Sequence, residues 1–192
     1  MAKTERKLIS SPEESPDAPY PTIPTSDRFE EKGADFLRAK DIEAVATLLI
    51  DEYEEDFGHL RGLKITYAWK ANGGKSAGMG NLGKCVKPSG LTKWFSASDF
   101  VIWLAADHLR ELNEHPQPTP DEGQRLPATW WQVEALVFHQ LKHAGWDEES
   151  GPVIRHHEFE GFAQEVEEYG PWKEDIEVMR VTFKQLPLGL VG

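Results

Sequence analysis

The segment His139-Gln140-Leu141-Lys142-His143 places two imidazoles four residues apart. On a helix this spacing stacks both rings on one face. There they can reach a single metal ion, the geometry used in His-Glu-x-x-His zinc enzymes. A third imidazole follows after thirteen intervening residues at His157, with His156 competing for the same place. Three protein ligands plus an open position is the pattern of a catalytic zinc rather than a structural one. An i,i+4 pair alone also fits histidines that ligate nothing; the third imidazole at a plausible return distance tips the reading toward a metal.

Positioning these side chains requires a helix, a returning loop and a second helix start. Thr129 followed by Gln132 has capping-box spacing. Trp131, Ala135, Leu136, Phe138 and Leu141 give the histidine helix apolar surface, and Gly145 is expected to close it. A loop over 146–155 leads to a helix over 158–169, stopped by Gly170-Pro171, and an amphipathic stretch at 174–183. Upstream, apolar periodicity predicts one helix over 34–57. Strands are predicted over 63–69, 82–86 and 99–105. The glycine-rich segment 72–83 reads as a β-hairpin turn at the rim of the site, and 113–127 as a polar, proline-bearing connection. Residues 1–32 read as an unstructured acidic, Pro-rich tail, because such a composition buries too little apolar surface to offset ordering entropy. Residues 33–192 then form the domain. The expected class is α+β: a small, mostly antiparallel sheet packed with helices, with the zincin-like metal helix across it.

The segment 131–172 resembles the putative phage metallopeptidases, a group similar to SprT-like zinc peptidases. That family carries His-Glu-Leu-x-His, a variable loop, His-Asp-x-Glu-Glu-Phe and Gly-x-Trp. Here the counterparts are His139-Gln140-Leu141-Lys142-His143, His157-Glu158-Phe159-Glu160-Gly161-Phe162 and Gly170-Pro171-Trp172. Leu82-Gly83-Lys84-Cys85 and the predicted strands resemble the family's upstream part, and the likeness spans roughly 35–175. The resemblance implies zinc as cofactor, held by His139, His143 and His157 rather than His156. It implies a phage or prophage peptide hydrolase acting in the host cytoplasm, with a protein or peptide substrate or a host protein as partner.

The chain departs from that family at Gln140, where the general base is glutamate. An amide can hydrogen-bond a water molecule but cannot take its proton, and losing a general base typically costs about 10²–10⁴-fold in rate. Three consequences are open: a pseudoenzyme that keeps its metal, a replacement base, or a deliberately inactivated form. Glu160 is the first candidate base and Glu134 the second, although Glu160 fits better as a group that orients a ligand histidine. A non-catalytic interaction protein on the same scaffold is the alternative function.

Composition narrows the partners. The 192 residues carry a net charge of -12 with a pI near 5.0, which disfavours nucleic acid and anionic membranes. One cysteine, Cys85, permits no internal disulfide and suits a reducing cytosol. No apolar run approaches the roughly 20 residues that span a bilayer. Gly78 to Lys84 matches the start of a phosphate-binding loop, but Cys85 stands where Ser or Thr would bind magnesium, and Pro88 opposes a following helix. Lys75, Lys84, Lys87 and Lys93 make this region locally basic. His59, His108 and His115 lack ligand-like company and read as structural or exposed.

Overall fold

The computed structural model describes residues 21–76, 79–114, 128–157 and 168. Of the predicted connection over 113–127, residues 113–114 are helical instead; its residues 115–127, the predicted helices beyond His157, Glu160 and the Gly170-Pro171-Trp172 motif lie outside the described residues.

A four-stranded sheet is the framework. Its strands β1 (Phe36–Arg38), β2 (Ile65–Lys70), β5 (Gly83–Val86) and β6 (Phe100–Ala105) are ordered β1-β2-β6-β5. β1 pairs antiparallel with β2, and β5 antiparallel with β6, while the central β2–β6 pair is parallel. The sheet is therefore mixed within the expected α+β class. Parallel neighbours need a long crossover, and here it holds three features. These are the small hairpin β3 (Lys75–Ser76) and β4 (Met79–Gly80), strand β5, and helix α4 (Gly90–Ser96). The strand after Gly83 replaces the helix that a phosphate-binding loop would need.

Alternation along β6 builds the core. Phe100, Ile102 and Leu104 are fully buried on one face, joined by Tyr67 and Trp69 of β2. Helix α2 (Lys40–Glu52) lays Ile42, Val45, Ala46 and Leu49 into the same cluster. Helix α6 (Ala128–His143) is buried along its length from Gln132 to Leu141, so it is a central element rather than an amphipathic surface one. Phe138 sits edge-on to both Tyr53 and Phe57, at ring separations of 5.2 and 5.0 Å. No described helix is long and apolar enough to cross a membrane.

Three expectations need correction. The predicted helix over 34–57 is a strand followed by two helices. Phe36 and Leu37 lie in β1, and α2 is followed by a short helix α3 (Glu54–Phe57) and a 3-10 turn, Gly58–Leu60. The backbone of 35–39 pairs with β2 on both flanks, Ala71 N–H to Asp35 O and Ala39 N–H to Tyr67 O, and that tertiary partner overrides a helical periodicity. Secondly, part of the predicted tail is structured. Helix α1 (Ser26–Lys32) buries Phe29 in the core, Thr22 N–H donates to Asp41, and Arg110 donates to Pro24 O and Ser26 Oγ. Thirdly, the predicted loop after the histidine helix is a hairpin of β7 (Ala144–Asp147) and β8 (Gly151–Ile154). Helix α4 and helix α5 (Ala106–Glu114) were not anticipated.

His108 on α5 clasps the β3–β4 hairpin. Its Nε2–H donates to Gly74 O at 3.0 Å, and Asp107 accepts from Gly73 N–H at 3.0 Å. A Cβ on Gly80 would lie 2.9 Å from the His108 ring, so the close approach needs glycine there.

Candidate metal centre

Helix α6 delivers His139 and His143 to one face, one turn apart, as their spacing requires. His139 is buried and His143 half-buried. The β7–β8 hairpin then reverses the chain so that His157 returns over the end of the helix. Its Nε2 lies 3.1 Å from that of His139 and 2.9 Å from that of His143, and the other two are 3.2 Å apart. A tetrahedral zinc with Zn–N bonds of about 2.0–2.1 Å separates its nitrogens by roughly 3.3–3.4 Å. The three ring nitrogens thus converge on a single point at the scale of one ion, and they could hold it. His156 is exposed and is not part of the cluster.

Protonation of one of the three imidazoles is settled by its partner. His143 Nδ1 lies 2.7 Å from the Arg155 carbonyl, which can only accept, so Nδ1 carries the proton and Nε2 presents its lone pair to the cluster. This is the usual way a backbone carbonyl fixes the tautomer of a metal-binding histidine. The same carbonyl-bearing residue closes the hairpin, with Arg155 N–H donating to His143 O at 2.8 Å. His59 holds the next carbonyl, Ala144 O, at 3.0 Å, and Lys142 pairs with Asp56 at 2.9 Å. Both fasten the C-terminal end of α6 to the α3 region. His59, like His108, is structural, as its lack of ligand-like neighbours in sequence indicated.

Gly145 does not terminate α6 through a left-handed cap; the helix ends at His143 and Gly145 lies in β7. It is needed for space. A Cβ there would meet Arg155 Cγ and Nε at 2.8 Å and Val153 Cγ2 at 3.1 Å.

Gln140 is buried beside His139, and its Oε1 has no hydrogen-bond partner among the described residues. A Cβ on Gly83, the first residue of the edge strand β5, would lie 3.5 Å from Gln140 Nε2. The amide therefore sits between the histidine helix and the free edge of the sheet. A buried acceptor left unsatisfied costs about 1–3 kcal/mol. Glu134, also buried, is on the same helix but about 140° around from His139 and roughly 7.5 Å along the axis. Helical geometry takes it away from the histidine face. Cys85 is buried on β5, and burial pushes its thiol up to about 12, so it is a protonated core residue and not a nucleophile.

Residues 34–117 match the family model described as putative phage metallopeptidase. The matched stretch runs from β1 through α5 and ends before the histidine helix. Family match and histidine cluster thus bear on different parts of the chain: the first is a likeness to metallopeptidases, and the second could hold a divalent metal. Comparison with curated proteins and with solved structures gives no match.

Proposed function

We propose that the chain is a zinc-binding protein of the phage metallopeptidase type whose hydrolytic activity is impaired by Gln140. The convergence of His139, His143 and His157 Nε2 within 3.2 Å carries this reading. The donor set fits the ion: three neutral imidazoles suit zinc, and fewer than four protein ligands leave a position for water or substrate. When bound, zinc would supply Lewis acidity toward a peptide carbonyl and lower the pKa of water it coordinates.

The chain's own residues do the rest. His143, held by Arg155 O, keeps its lone pair directed at the cluster. Gln140 can accept or donate a hydrogen bond at the centre, but it cannot carry a proton from water to a leaving amine. Glu160, which lies outside the described residues, remains the candidate for replacing it or for orienting a ligand histidine. A second reading, a non-catalytic protein that binds a host or phage protein on this scaffold, is favoured by the same Gln140. The two readings separate in one experiment. Purified protein is analysed for metal, and the wild type and Gln140→Glu are compared for hydrolysis of labelled casein with and without added zinc. Zinc at about one per chain with activity gained in the Glu form supports the impaired peptidase. Zinc with no activity in either form supports the binding protein, and absence of metal affinity removes both.

A further inference from the structure

Helix α4 is built inside out. None of its residues is buried, yet Leu91, Trp94 and Phe95 are 70, 74 and 72% exposed. Their i, i+3, i+4 spacing puts all three within an arc of about 100°. Trp94 and Phe95 meet edge-on at 4.9 Å, so they form a contiguous apolar patch and not scattered surface residues. The opposite side of the helix holds Lys93, ion-paired with Asp99 at 3.4 Å. The helix is fastened at its ends by the buried Pro88 and by Ser98, whose Oγ bonds Thr66 Oγ1 and Ser96 O. The apolar face thus contributes nothing to the core.

Its charge surroundings are equally one-sided. From Phe57 to Ser98 the chain carries seven basic residues and no Asp or Glu, although the whole chain has 33 acids and a net charge of -12. Lys84 and Lys87, immediately before α4, are exposed and make no ion pair among the described residues. Lys84 projects from the sheet face that also bears Arg38 and Lys70, the latter 4.5 Å over the Trp103 ring.

We propose that the outward face of α4, Leu91, Trp94 and Phe95, together with the exposed Lys84 and Lys87 that precede it in the chain, is a docking surface for a partner polypeptide that presents apolar side chains within a short acidic segment. Two aromatic anchors side by side match the aromatic enrichment of protein-binding hot spots, and the neighbouring lysines add charge complementarity for an acidic partner. A short segment is favoured over an extended polyanion by range. A short segment docked on α4 needs charge complementarity only within a screening length of about 8 Å, where Lys84 and Lys87 make no ion pair among the described residues, whereas nucleic acid or an anionic bilayer would face more of a chain of net charge -12. The surface carries none of the three histidines, and the proposal stands independently of hydrolysis.

The test uses the full chain and a short fluorescein-labelled peptide alternating glutamate with leucine and phenylalanine, read by anisotropy. Saturable binding is expected. It should weaken at least about tenfold, the range of a lost anchor, in Trp94→Ala/Phe95→Ala and in Lys84→Glu/Lys87→Glu, and for a peptide with lysine in place of glutamate. Circular dichroism melting of each variant, unchanged for these exposed positions, separates lost docking from lost folding. No binding, or binding indifferent to these changes, overturns the proposal. So does tighter binding of oligo-dT or of phosphatidylserine vesicles that the same variants abolish. Dimerisation in sedimentation that the same variants abolish also overturns it, by making a second copy the occupant.

Discussion

His143 and Arg155 are joined twice across the end of the histidine helix α6. The imidazole Nδ1–H donates to the Arg155 carbonyl at 2.7 Å, and the Arg155 N–H donates to the His143 carbonyl at 2.8 Å. One backbone contact thus fixes a tautomer and the path by which the chain returns to bring in His157. The first prediction concerns that return. His157→Ala should lower zinc affinity about 100-fold or more, whereas the exposed His156→Ala should change it less than about threefold. Competition with a chromophoric chelator measures both; equal losses would show that the converged ring is not the ligand.

Gly145 offers a way to disturb the centre without touching a ligand. Gly145→Val adds a Cβ that would lie 2.8 Å from Arg155 Cγ and Nε and 3.1 Å from Val153 Cγ2, so the Arg155 side chain or the β7–β8 hairpin must shift. Overpacking of this kind costs about 1–3 kcal/mol. Thermal melting should fall accordingly, and zinc affinity should drop because the Arg155 carbonyl and His157 move together. Unchanged affinity alongside a lowered melting temperature would separate the hairpin from the centre.

The tip of that hairpin is sensitive to acid. Asp147 Oδ1 accepts from Ser150 N–H, Ser150 Oγ and Glu149 N–H at 2.8, 2.8 and 3.1 Å, and these bonds, Ser150's first, hold its carboxyl below the usual range. A carboxyl lowered in the folded state stabilises fully above its unfolded value, about 3.9, and loses that contribution as pH falls through the lowered folded value. Amide exchange of Glu149 and Ser150 in the metal-free protein should therefore quicken, relative to the rest of the fold, only below about pH 4. Asp147→Ala should show the faster exchange at all pH values; an identical profile in that variant would remove the carboxylate from the turn.

Truncation should divide the N-terminal segment. Removing residues 1–20 leaves every described contact in place. Removing 1–30 takes Phe29 from the core and the Pro24 and Ser26 acceptors from Arg110, and should cost about 3 kcal/mol, as for a buried Phe→Ala change. Denaturant titration of both forms measures the difference. A 1–30 deletion as stable as the full chain would return α1 to the status of a tail.

Activity depends on one atom at position 140. Gln140→Glu should raise peptide hydrolysis by about 10²–10⁴-fold, the usual worth of a positioned general base. The substitution also places a carboxylate where a buried amide oxygen has no partner among the described residues, so zinc-free protein should be destabilised and zinc should restore its melting temperature. A wild type as fast as the Glu form would assign proton transfer to another group, with Glu160 the first to test.

Some of this was legible in order and spacing alone. His139 and His143 share a face because a helix repeats every 3.6 residues, and β6 was readable because its apolar, β-favouring run is local. The chemical limit set by Gln140 follows from residue type and needs no coordinates. Tertiary structure decided the rest. Residue type alone does not choose between the adjacent His156 and His157; the β7–β8 hairpin brings the His157 ring onto His139 and His143 and leaves the His156 ring out of the cluster, although both are exposed. Phe36 and Leu37 fit a helical pattern, but hydrogen-bonding partners on β2, far along the chain, make them a strand. Phe29 lies in a composition typical of solvated tails, and only a core assembled from distant residues gives it somewhere to be buried. For Phe36, Leu37 and Phe29 the deciding partner lies well along the chain, and pattern within a short window carries no information about it.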